Sequence, residues 1–352
     1  MTSAIHPNVD ISASAETSLQ LSALLHRAAI SRLDGTGWIQ VTGGDRARWL
    51  NGMATNAVQQ LTDGAGAYNF FLNAQGRIQG DGYIFAQTDA LLIETQSSQI
   101  ATLIPYLDHY IIMDDVELKD ISATWSGLNV IGPSAASLLA QTGLSVAELK
   151  PLEMREIAWN GAKLTLIQAH SPLVPRYELW ADPATIDALF QSLQTTGATL
   201  ASPESLESLR LLEGTPRYSV DIRDRDLPQE TSQTRALHFA KGCYLGQEIV
   251  ERIRSRGNVH RTFQAFRLEG NLPVAGTNLE AAGKQVGELT SVATIPLEQR
   301  QVQLALGYIR REALDRGEPI TYPGGTAVPT ATPFDPGETN PPPPTSDSSE
   351  RK

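Results

Sequence analysis

The sequence predicts an α+β protein with antiparallel sheets, followed by a small all-β domain. Between about residues 125 and 200, segments that alternate apolar and polar residues, as strands do, are interleaved with segments whose apolar residues recur at helical spacing. From residue 262 onward the segments are short and strand-like, with Gly, Pro and Asn turns between them, and only RREALDRG has helical character. The second pattern is typical of a small β-barrel or sandwich.

Length, charge and cysteine usage limit the class of protein. The chain has 352 residues, 41% of them hydrophobic, which suffices for several domains with ordinary cores. Its formal net charge of -11 disfavours nucleic acid or an anionic membrane as the main partner. No apolar run approaches the roughly 20 residues that span a bilayer, and MTSAIHPNVD lacks the features of a signal peptide. The single cysteine excludes an internal disulfide framework and a four-cysteine metal site. We therefore expect a cytoplasmic protein.

Composition divides the chain into four segments. Residues 1–18 are rich in Ser, Ala and Thr, and residues 333–352 contain four consecutive prolines, so we expect both to be disordered. Residues 19–261 form the α+β part, and its two halves have similar patterns, which indicates two lobes. Residues 262–332 form the predicted β-barrel.

The first lobe is predicted element by element. It begins with an amphipathic helix over SLQLSALLHRAAISRL and a strand over GWIQVTG. A helix with N-cap Asp45 is predicted for DRARWLNGMATNAV. An antiparallel meander, with turns at Gln-Gly, Asp-Gly and Thr-Asp, is predicted for AYNFFLNAQGRIQGDGYIFAQTDALLIETQ. The last element, SQIATLIPYLDHYI, has a helical pattern in which Pro105 predicts a break or kink.

The only cysteine, Cys243, lies in KGCYLGQEIVER. A helix beginning near residues 242 to 245 would place this thiol in the first turn, where the helix dipole and the neighbouring Lys241 lower a thiol pKa. A buried, inert thiol is the alternative. Gly242 and Gly246 would lie on one helix face and let a backbone or a flat ligand approach closely, with tight helix packing as the alternative.

Two carboxylates are candidate ligand-binding groups. Alternation along PRYELW points Glu178 away from the faces of Tyr177 and Leu179. A carboxylate facing a cavity suits a ligand with paired N–H donors, such as a 2-amino-4-oxopyrimidine edge, and an ordinary solvent-facing glutamate is the alternative. Asp81 lies between two glycines in GRIQGDGY, where it is either a candidate site residue or a common turn aspartate.

Charged runs raise two further hypotheses. The stretch RIRSRGNVHR could bind a polyanion, such as a polyglutamate tail or phosphate, or could flank a solvated strand; its basic residues are Arg252, Arg254, Arg256, His260 and Arg261. The stretch DIRDRD could hold a metal, but its interleaved arginines favour a self-neutralising surface network; its acids are Asp221, Asp224 and Asp226. We predict no metal site.

The stretch around Cys243 resembles a family signature. It matches the K-G-C-Y-x-G-Q-E pattern of the YgfZ family, folate-binding proteins related to the glycine cleavage T-protein, at Lys241, Gly242, Cys243, Tyr244, Gly246, Gln247 and Glu248. Further segments that resemble the family are VTGGDRARWLNGMATN, FLNAQGRIQGDGYIF, SLRLLEGTPRYSVDI with LPQE, and VGELTS. The resemblance covers roughly residues 20 to 332.

The resemblance implies a fold and a function. The fold is a three-lobed ring, with two antiparallel α+β lobes and a C-terminal β-barrel around a central hole that accepts tetrahydrofolate or a one-carbon derivative. The function is assembly or repair of iron–sulfur clusters in client enzymes, including radical enzymes that methylthiolate transfer RNA. The working residues would be Cys243 and Lys241, beside the hole. The folate-binding residues would be Glu178, Asp81, Tyr244, Gly242, Gly246 and Gln247. Partners would be folate and client iron–sulfur proteins or assembly factors, with no direct nucleic acid and no membrane.

Resemblance to the T-protein leaves enzymatic activity open. T-proteins transfer an aminomethyl carbon to tetrahydrofolate with an aspartate, which Asp81 matches, and hold the pterin with a glutamate, which Glu178 matches. This chain departs from their pattern where Gly80 replaces one of two aspartates, where SPLVP precedes the glutamate strand, and where Leu206 replaces an arginine. The alternatives to an accessory factor are therefore an aminomethyltransferase and a folate-binding interaction protein without chemistry.

Overall fold

The computed structural model describes residues 14–147, 149–257, 259–298 and 300–337. Most of the two segments predicted to be disordered, residues 1–13 and 338–352, lies outside the described residues. Among the described residues, no helix combines the length and apolar character needed to cross a bilayer.

The secondary structure is mixed, as predicted. The α-helices of the described residues are α1 (Ala15–His26), α2 (Arg46–Met53), α3 (Ser97–Asp108), α4 (Ala135–Gln141), α5 (Pro183–Thr195), α6 (Pro203–Glu213), α7 (Gln247–Arg256) and α8 (Arg311–Arg316). Short 3₁₀ turns span Pro228–Thr231 and Thr234–Ala236. The strands are β1 (Ala29–Arg32), β2 (Thr36–Thr42), β3 (Gly66–Leu72), β4 (Ile78–Ala86), β5 (Leu91–Gln96), β6 (Glu117–Asp120), β7 (Ser126–Ile131), β8 (Met154–Trp159), β9 (Ala162–Gln168), β10 (Arg176–Ala181), β11 (Thr199–Leu200), β12 (Arg261–Gly270), β13 (Asn278–Ala281), β14 (Lys284–Pro296), β15 (Gln301–Arg310), β16 (Thr321–Tyr322) and β17 (Gly325–Thr330).

Two sheets form the two predicted lobes. The first has the order β3-β4-β5-β2-β6 and the second the order β11-β1-β7-β10-β9-β8. The pairings are antiparallel except between β1 and β11, which run parallel. Strand β1 belongs to the second sheet although β2, the next strand along the chain, belongs to the first. The lobes are therefore interleaved in sequence rather than consecutive.

The two sheets pack face to face through aromatic side chains. Trp180 of β10 lies with its ring centroid 5.7 Å from Trp38 of β2 and 5.6 Å from Phe85 of β4. Leu92 and Ile167 belong to the same buried cluster. Helices α2 and α3 cover the other face of the first sheet, and α4 and α5 that of the second. This layering directs alternate strand residues toward the interface between the lobes.

The C-terminal domain is a closed six-stranded barrel with the order β12-β15-β14-β13-β16-β17. This confirms the predicted barrel, and α8 corresponds to the helical segment RREALDRG. Helices α1 and α6 pack against β14 and β15 of the barrel through one buried apolar cluster, which includes Leu24, Leu212, Ile295 and Leu304. The barrel is thereby fixed to the lobes through α6.

Several local predictions differ from the structure. Helix α1 begins at Ala15, capped by the Ser14 hydroxyl, inside the segment predicted to be disordered. At the other end Phe334 is 3% exposed and donates its backbone N–H to Leu212, so ordered chain continues past residue 332. Asp81 and the glycine after it lie inside β4 rather than in a turn. Pro105 lies within α3, in its last turns, without ending the helix.

Candidate functional site

A cavity of about 460 Å³ lies between the inner faces of the two sheets and α6. Its polar lining comes from both lobes, from α6 and from the segment after α6, and it includes Tyr68, Asp81, Tyr83, Glu94, Asn129, His170, Arg176, Glu178, Glu207, Arg210, Glu213, Arg217 and Arg235. Asp81 and Glu178, which the sequence analysis proposed as folate-binding residues, are thus brought to one cavity from different lobes. The cavity is the candidate folate site.

Glu178 faces the cavity because of the alternation along β10. Tyr177 and Leu179 pack on the helix-covered face, whereas Glu178 and Trp180 face the other lobe. Glu178 is 7% exposed, and its Oε2 accepts a hydrogen bond of 3.1 Å from the Trp180 indole. This placement confirms the predicted alternation and excludes an ordinary solvent-facing glutamate.

Glu94 of β5 forms a carboxyl pair with Glu178. Glu94 lies directly opposite Tyr83 in the first sheet, and it lines the same cavity and the same small recess as Glu178 of the second sheet. Burial raises the pKa of Glu94 well above its ordinary value, and the neighbouring Glu178 charge raises it further. Burial also raises the pKa of Glu178, while Arg176 opposes that rise.

Two buried polar atoms beside Glu178 have no hydrogen-bond partner among the described residues. They are Oδ1 of Asn129 and Nε of Arg176. Asn129 lies opposite Glu178 in the pairing of β7 with β10 and is 7% exposed. Because buried polar atoms are nearly always paired, an acceptor and a donor left open on a cavity wall indicate a ligand with both hydrogen-bonding functions.

Asp81 is fixed on the opposite wall. Its Oδ2 accepts from the Tyr68 hydroxyl at 2.6 Å and its Oδ1 from the Gln99 amide at 2.7 Å, while its backbone N–H donates to Gln99. Burial raises the pKa of Asp81, and the two donors act in the opposite direction. The carboxylate is held in one orientation beside the cavity.

Arg235 and His170 give the cavity further polar groups. The Arg235 guanidinium lies 4.1 Å from the centroid of the Tyr68 ring and donates to the Tyr83 hydroxyl at 2.9 Å. Burial, with the charges of Arg235 and Arg176, lowers the pKa of His170 to about 4. His170 is therefore neutral at physiological pH.

An ion network closes the cavity at α6 and joins it to the barrel. Arg210 donates to Glu207 at 2.6 Å, to Asp221 at 2.7 Å and to the barrel residue Ser291 at 2.8 Å. Arg217 donates to the same Glu207 at 3.2 Å, and its side chain is 39% exposed. The network leaves Arg217 as the more accessible cation at this end.

The DIRDRD stretch pairs with distant arginines. Asp221 binds Arg210 of α6 and Asp226 binds Arg261 of β12 at 2.6 Å, and both acids are completely buried. The predicted self-neutralising surface network is therefore wrong in its location and its partners. Within the described ranges, no group of His, Cys, Asp and Glu residues has a metal-binding arrangement.

Two arginines of the basic run after the signature pair with acids in different parts of the fold. Arg261 forms salt bridges with Asp226 at 2.6 Å and with Glu230 at 3.0 Å. Arg254 on α7 lies 3.4 Å from Glu251 and over the Phe239 ring. These two arginines serve different structural contacts, so the polyanion hypothesis has no support from their placement.

Cys243 is exposed and lies in a loop. Helix α7 begins at Gln247, so the predicted position of Cys243 in a first helical turn is wrong, and so is the alternative of a buried thiol. The sequence pattern placed the helix start too early because Gly246 adopts a left-handed conformation, with φ +82°, which starts the helix after it.

Lys241 reaches into the first lobe, and its Nζ also lies 5.0 Å from the centroid of the Tyr244 ring. Its Nζ donates to three backbone carbonyl oxygens, those of Asn51 and Ala54 at 2.6 Å and of Asn56 at 2.7 Å. Burial lowers the pKa of Lys241 to about 8, and the three carbonyls favour its charged form. Lys241 therefore donates hydrogen bonds to the carbonyl groups at the carboxyl end of α2. The sequence analysis had predicted instead that it activates the Cys243 thiol.

Other signature residues fix the same loop. The Tyr244 ring is buried against Tyr68 and Phe70, and the Gln247 side chain accepts the Tyr244 N–H at 3.2 Å. A Cβ on Gly246 would lie 2.5 Å from the Asn73 carbonyl oxygen in the β3–β4 turn, so only glycine permits this approach. Gly246 therefore admits another backbone, as one predicted alternative had it.

None of the signature residues lines the cavity among the described residues. A Cβ on Gly242 would meet no atom within 4 Å, so this glycine opens no passage. The resemblance implied that Cys243, Lys241, Gly242, Tyr244, Gly246 and Gln247 lie beside a folate hole, and none of them lines the cavity that holds Asp81 and Glu178. The signature instead builds a loop, anchored on both sides, that exposes Cys243.

Sequence reasoning missed every polar cavity residue named above except Asp81 and Glu178, among them Glu94, Asn129, Arg176 and Arg235. Alternation could have found Glu94 in LLIETQ and Asn129 in GLNVIG, since each is a polar residue that directly follows apolar strand residues. Arg235 lies in a 3₁₀ turn without periodicity and carried no such signal.

Comparison with known proteins agrees with this architecture. Residues 14–241 match the GCVT N-terminal domain, and residues 261–336 match the CAF17 C-terminal beta-barrel domain. The aminomethyltransferase of Thermus thermophilus is 27% identical over 321 residues, covering 90% of this chain and 89% of that protein. The mitochondrial iron-sulfur cluster assembly factor IBA57 homologue of Neurospora crassa is 25% identical over 252 residues, covering 67% of this chain and 52% of that protein.

A solved structure supports the fold. Glycine cleavage system aminomethyltransferase T from Bartonella henselae superposes with a TM-score of 0.81 at 17% identity, covering 91% of this chain and 90% of that one. At this identity the likeness concerns the fold alone. The GCVT match covers more than half of the chain, and the match to the CAF17 barrel follows it. The chain therefore belongs to the GCVT-domain family, in the branch that has a CAF17-type barrel. This branch is the YgfZ family, whose signature the stretch around Cys243 resembles.

Proposed function

We propose that this protein binds tetrahydrofolate or a one-carbon derivative in the cavity between its lobes and acts as an accessory factor in the assembly or repair of iron–sulfur clusters. The wall around Glu178 carries the folate part of the proposal. It combines a buried carboxylate with the open acceptor of Asn129 and the open donor of Arg176. The 2-amino-4-oxopyrimidine edge of a folate presents N–H donors next to a carbonyl acceptor, which is the complementary set.

The remaining cavity residues fit the rest of such a ligand. Tyr68, Tyr83 and Arg235 form an aromatic and cationic wall, against which a flat ring system stacks. At the α6 end, the partly exposed Arg217 suits the carboxylates of a glutamate tail. The folate, when bound, would supply a carrier for one-carbon units.

The iron–sulfur part of the proposal rests on family membership and on Cys243. The relative from Neurospora crassa is named an iron-sulfur cluster assembly factor. Cys243 is exposed on an anchored loop outside the cavity, so its thiol is accessible to a protein partner. We infer that this partner is a client iron–sulfur protein or an assembly factor.

Complementation of a deletion strain, together with calorimetry, tests the iron–sulfur part and the folate part of the proposal separately. In a strain lacking this gene, wild-type protein should restore iron–sulfur enzyme activity, whereas Cys243→Ala should fold and bind folate but fail to restore it. Glu178→Ala should weaken folate binding about ten- to a hundredfold by calorimetry, since a charged hydrogen-bond pair contributes roughly 1.5–3 kcal/mol. Unchanged folate affinity in Glu178→Ala would refute the assigned binding mode. Full restoration by Cys243→Ala would favour a folate-binding interaction protein without chemistry.

Aminomethyl transfer is a second candidate, favoured by one observation. Asp81 is held in one orientation on the cavity wall by Tyr68 and Gln99, as a carboxylate that stabilises developing positive charge would be. The same deletion strain tests this candidate. Loss of glycine cleavage with intact iron–sulfur enzymes would favour the transferase.

A further inference from the structure

Arg235 reaches the cavity from a short 3₁₀ turn, Thr234–Ala236. Its guanidinium lies over the Tyr68 ring, 4.1 Å from the centroid, while Nη1 donates to the Tyr83 hydroxyl at 2.9 Å and Nε to Gln233 at 3.2 Å. Its Nη2 has no hydrogen-bond acceptor among the described residues. Arg235 therefore retains hydrogen-bonding capacity for a ligand in the cavity.

The turn that carries Arg235 has little stability of its own. It closes with two backbone hydrogen bonds, from the Ala236 N–H to Gln233 at 3.0 Å and from the Leu237 N–H to Thr234 at 3.1 Å. Hydrogen bonds of a 3₁₀ turn have poorer geometry than those of an α-helix, so such turns are stable only as short pieces of a larger fold. The position of this turn therefore depends on its contacts with other segments.

One side-chain amide joins the turn to Tyr68. The Nδ2 of Asn56 donates to the carbonyl oxygen of Arg235 at 2.9 Å and to that of Tyr68 at 3.1 Å. These are the two residues whose side chains stack on each other. A single NH₂ group therefore holds together the two backbones from which the stack extends.

The surroundings of Asn56 keep its amide in place. Its N–H donates to the Asn69 side chain at 2.8 Å, and its carbonyl oxygen accepts from Lys241 Nζ at 2.7 Å. The preceding residue, Thr55, is completely buried and donates its hydroxyl to the Ala236 carbonyl oxygen at 2.6 Å. Asn56 does not itself line the cavity, so its effect on a ligand must pass through the stack.

Resting on the proposed folate function, we propose that Asn56 is a positioning residue, which sets the Tyr68–Arg235 stack against which the folate ring binds. The role needs a side chain with two N–H groups, since each of the two carbonyl oxygens takes one. A carboxylate in the same place would repel both oxygens and let the turn move away from β3. Arg235 would then leave the Tyr68 ring, and its open Nη2 would no longer be fixed relative to the ligand.

Calorimetric titration with 5-formyltetrahydrofolate tests the proposal in the full-length protein. Asn56→Asp keeps the size of the side chain and the Oδ1 that accepts from the Ala57 N–H, but it removes both donors. Its folate affinity should fall about five- to tenfold, and that of Arg235→Met about ten- to a hundredfold, as for the loss of a neutral and of a charged hydrogen bond. The double variant should bind as Arg235→Met does, because no stack remains to be positioned. Additive losses, or an unchanged affinity in Asn56→Asp, would overturn the proposal.

Asn51→Asp is the matched control for the added charge. It places a carboxylate nearby in the sequence whose Oδ1 still accepts from the N–H groups of Val58 and Gln59, away from the turn that carries Arg235. Its affinity should equal that of wild type, and a loss as large as that of Asn56→Asp would overturn the proposal in favour of a general charge effect. If Asn56→Asp fails to fold by circular dichroism, Asn56→Ser replaces it in the same cycle, since one hydroxyl donates to only one of the two carbonyl oxygens.

Hydrogen–deuterium exchange provides a readout without a ligand. The amides of Ala236, Leu237 and His238 should exchange faster in Asn56→Asp than in wild type or Asn51→Asp, because the turn loses one of its anchors. Equal exchange in the three proteins would overturn the positioning role whatever the binding results. If wild type does not bind the folate, the proposed function fails and the role in folate binding fails with it, while the exchange rates still decide whether Asn56 holds the turn.

Discussion

The Nζ of Lys241 lies 2.6 Å from the carbonyl oxygen of Ala54, just beyond the last residue of α2. This contact joins the signature segment to the first lobe. It also shows that Lys241 and Cys243, two positions apart in the sequence, have different roles. Lys241 holds the loop in place, while Cys243 is exposed on it.

Replacing Lys241 by methionine should destabilise the protein. The substitution leaves the carbonyls of Asn51, Ala54 and Asn56 without their donor, and each unsatisfied buried group costs about 1–3 kcal/mol, reduced wherever water replaces the lysine. We expect a loss of about 2–4 kcal/mol in the free energy of unfolding, measured by urea denaturation. Cys243→Ala, the control from the same loop, should unfold like wild type. Equal stability of Lys241→Met and wild type would contradict the anchoring role.

Cys243 should react with iodoacetamide in the native protein, with or without folate. The side chain is exposed and does not line the cavity, so a ligand there leaves it accessible. The measurement is the alkylation rate by mass spectrometry in the presence and absence of saturating 5-formyltetrahydrofolate. Protection by the folate would mean that the thiol and the ligand are neighbours, contrary to this structure.

Asn129→Leu should weaken folate binding about fivefold. The change removes the open Oδ1 acceptor beside Glu178, and a hydrogen bond of this kind contributes roughly 1 kcal/mol. The matched control is Ser31→Ala, which removes the 3.4 Å partner of the Asn129 amide nitrogen but no cavity residue. Calorimetry should find near wild-type affinity for the control. A similar loss in both variants would mean that the amide acts through its orientation alone.

Asp81→Asn should retain iron–sulfur client activity. The amide keeps the shape of the carboxyl group, and the Tyr68 hydroxyl rotates to accept from it. Aminomethyl transfer, by contrast, needs the negative charge. The measurement is complementation of the deletion strain, with the folded state of the variant verified by circular dichroism. Complete loss of complementation by a folded Asp81→Asn protein would place the transferase first.

Glu94→Gln should stabilise the protein at neutral pH. The pKa of Glu94 is raised on folding, so the folded state binds a proton more tightly than the unfolded state does. This contribution is fully present below the ordinary pKa of 4.5 and is lost as the pH rises toward the folded pKa. Glutamine does not titrate, so Glu94→Gln loses no stability as the pH rises. Each unit of the shift in the Glu94 pKa corresponds to ~1.4 kcal/mol in the free energy of unfolding. Urea denaturation of both proteins should give a difference that grows with pH from acidic to neutral conditions. A difference in unfolding free energy that does not change with pH would contradict a raised Glu94 pKa.

Short-range patterns in the sequence determined much of the architecture. Period-two alternation predicted the meander, the barrel strands and the cavity-facing side of Glu178, because a strand places successive side chains on opposite faces. Helical spacing predicted α1 and α2, but it was wrong to continue the first helix through Ala29–Arg32, which form β1. The signature around Cys243 identified the family, which the GCVT and CAF17 domain matches support.

Tertiary structure decided the features that depend on contacts between distant segments. Strand β1 joins the second sheet by pairing with β7 and β11, which no local pattern specifies. Asp221 and Asp226 find their arginines on α6 and β12 rather than next to themselves. Lys241 turns into the first lobe because three carbonyl oxygens at the end of α2 need donors. Glu94 and Glu178 line one cavity because the two lobes pack face to face, and that packing is a property of the assembled fold rather than of either strand.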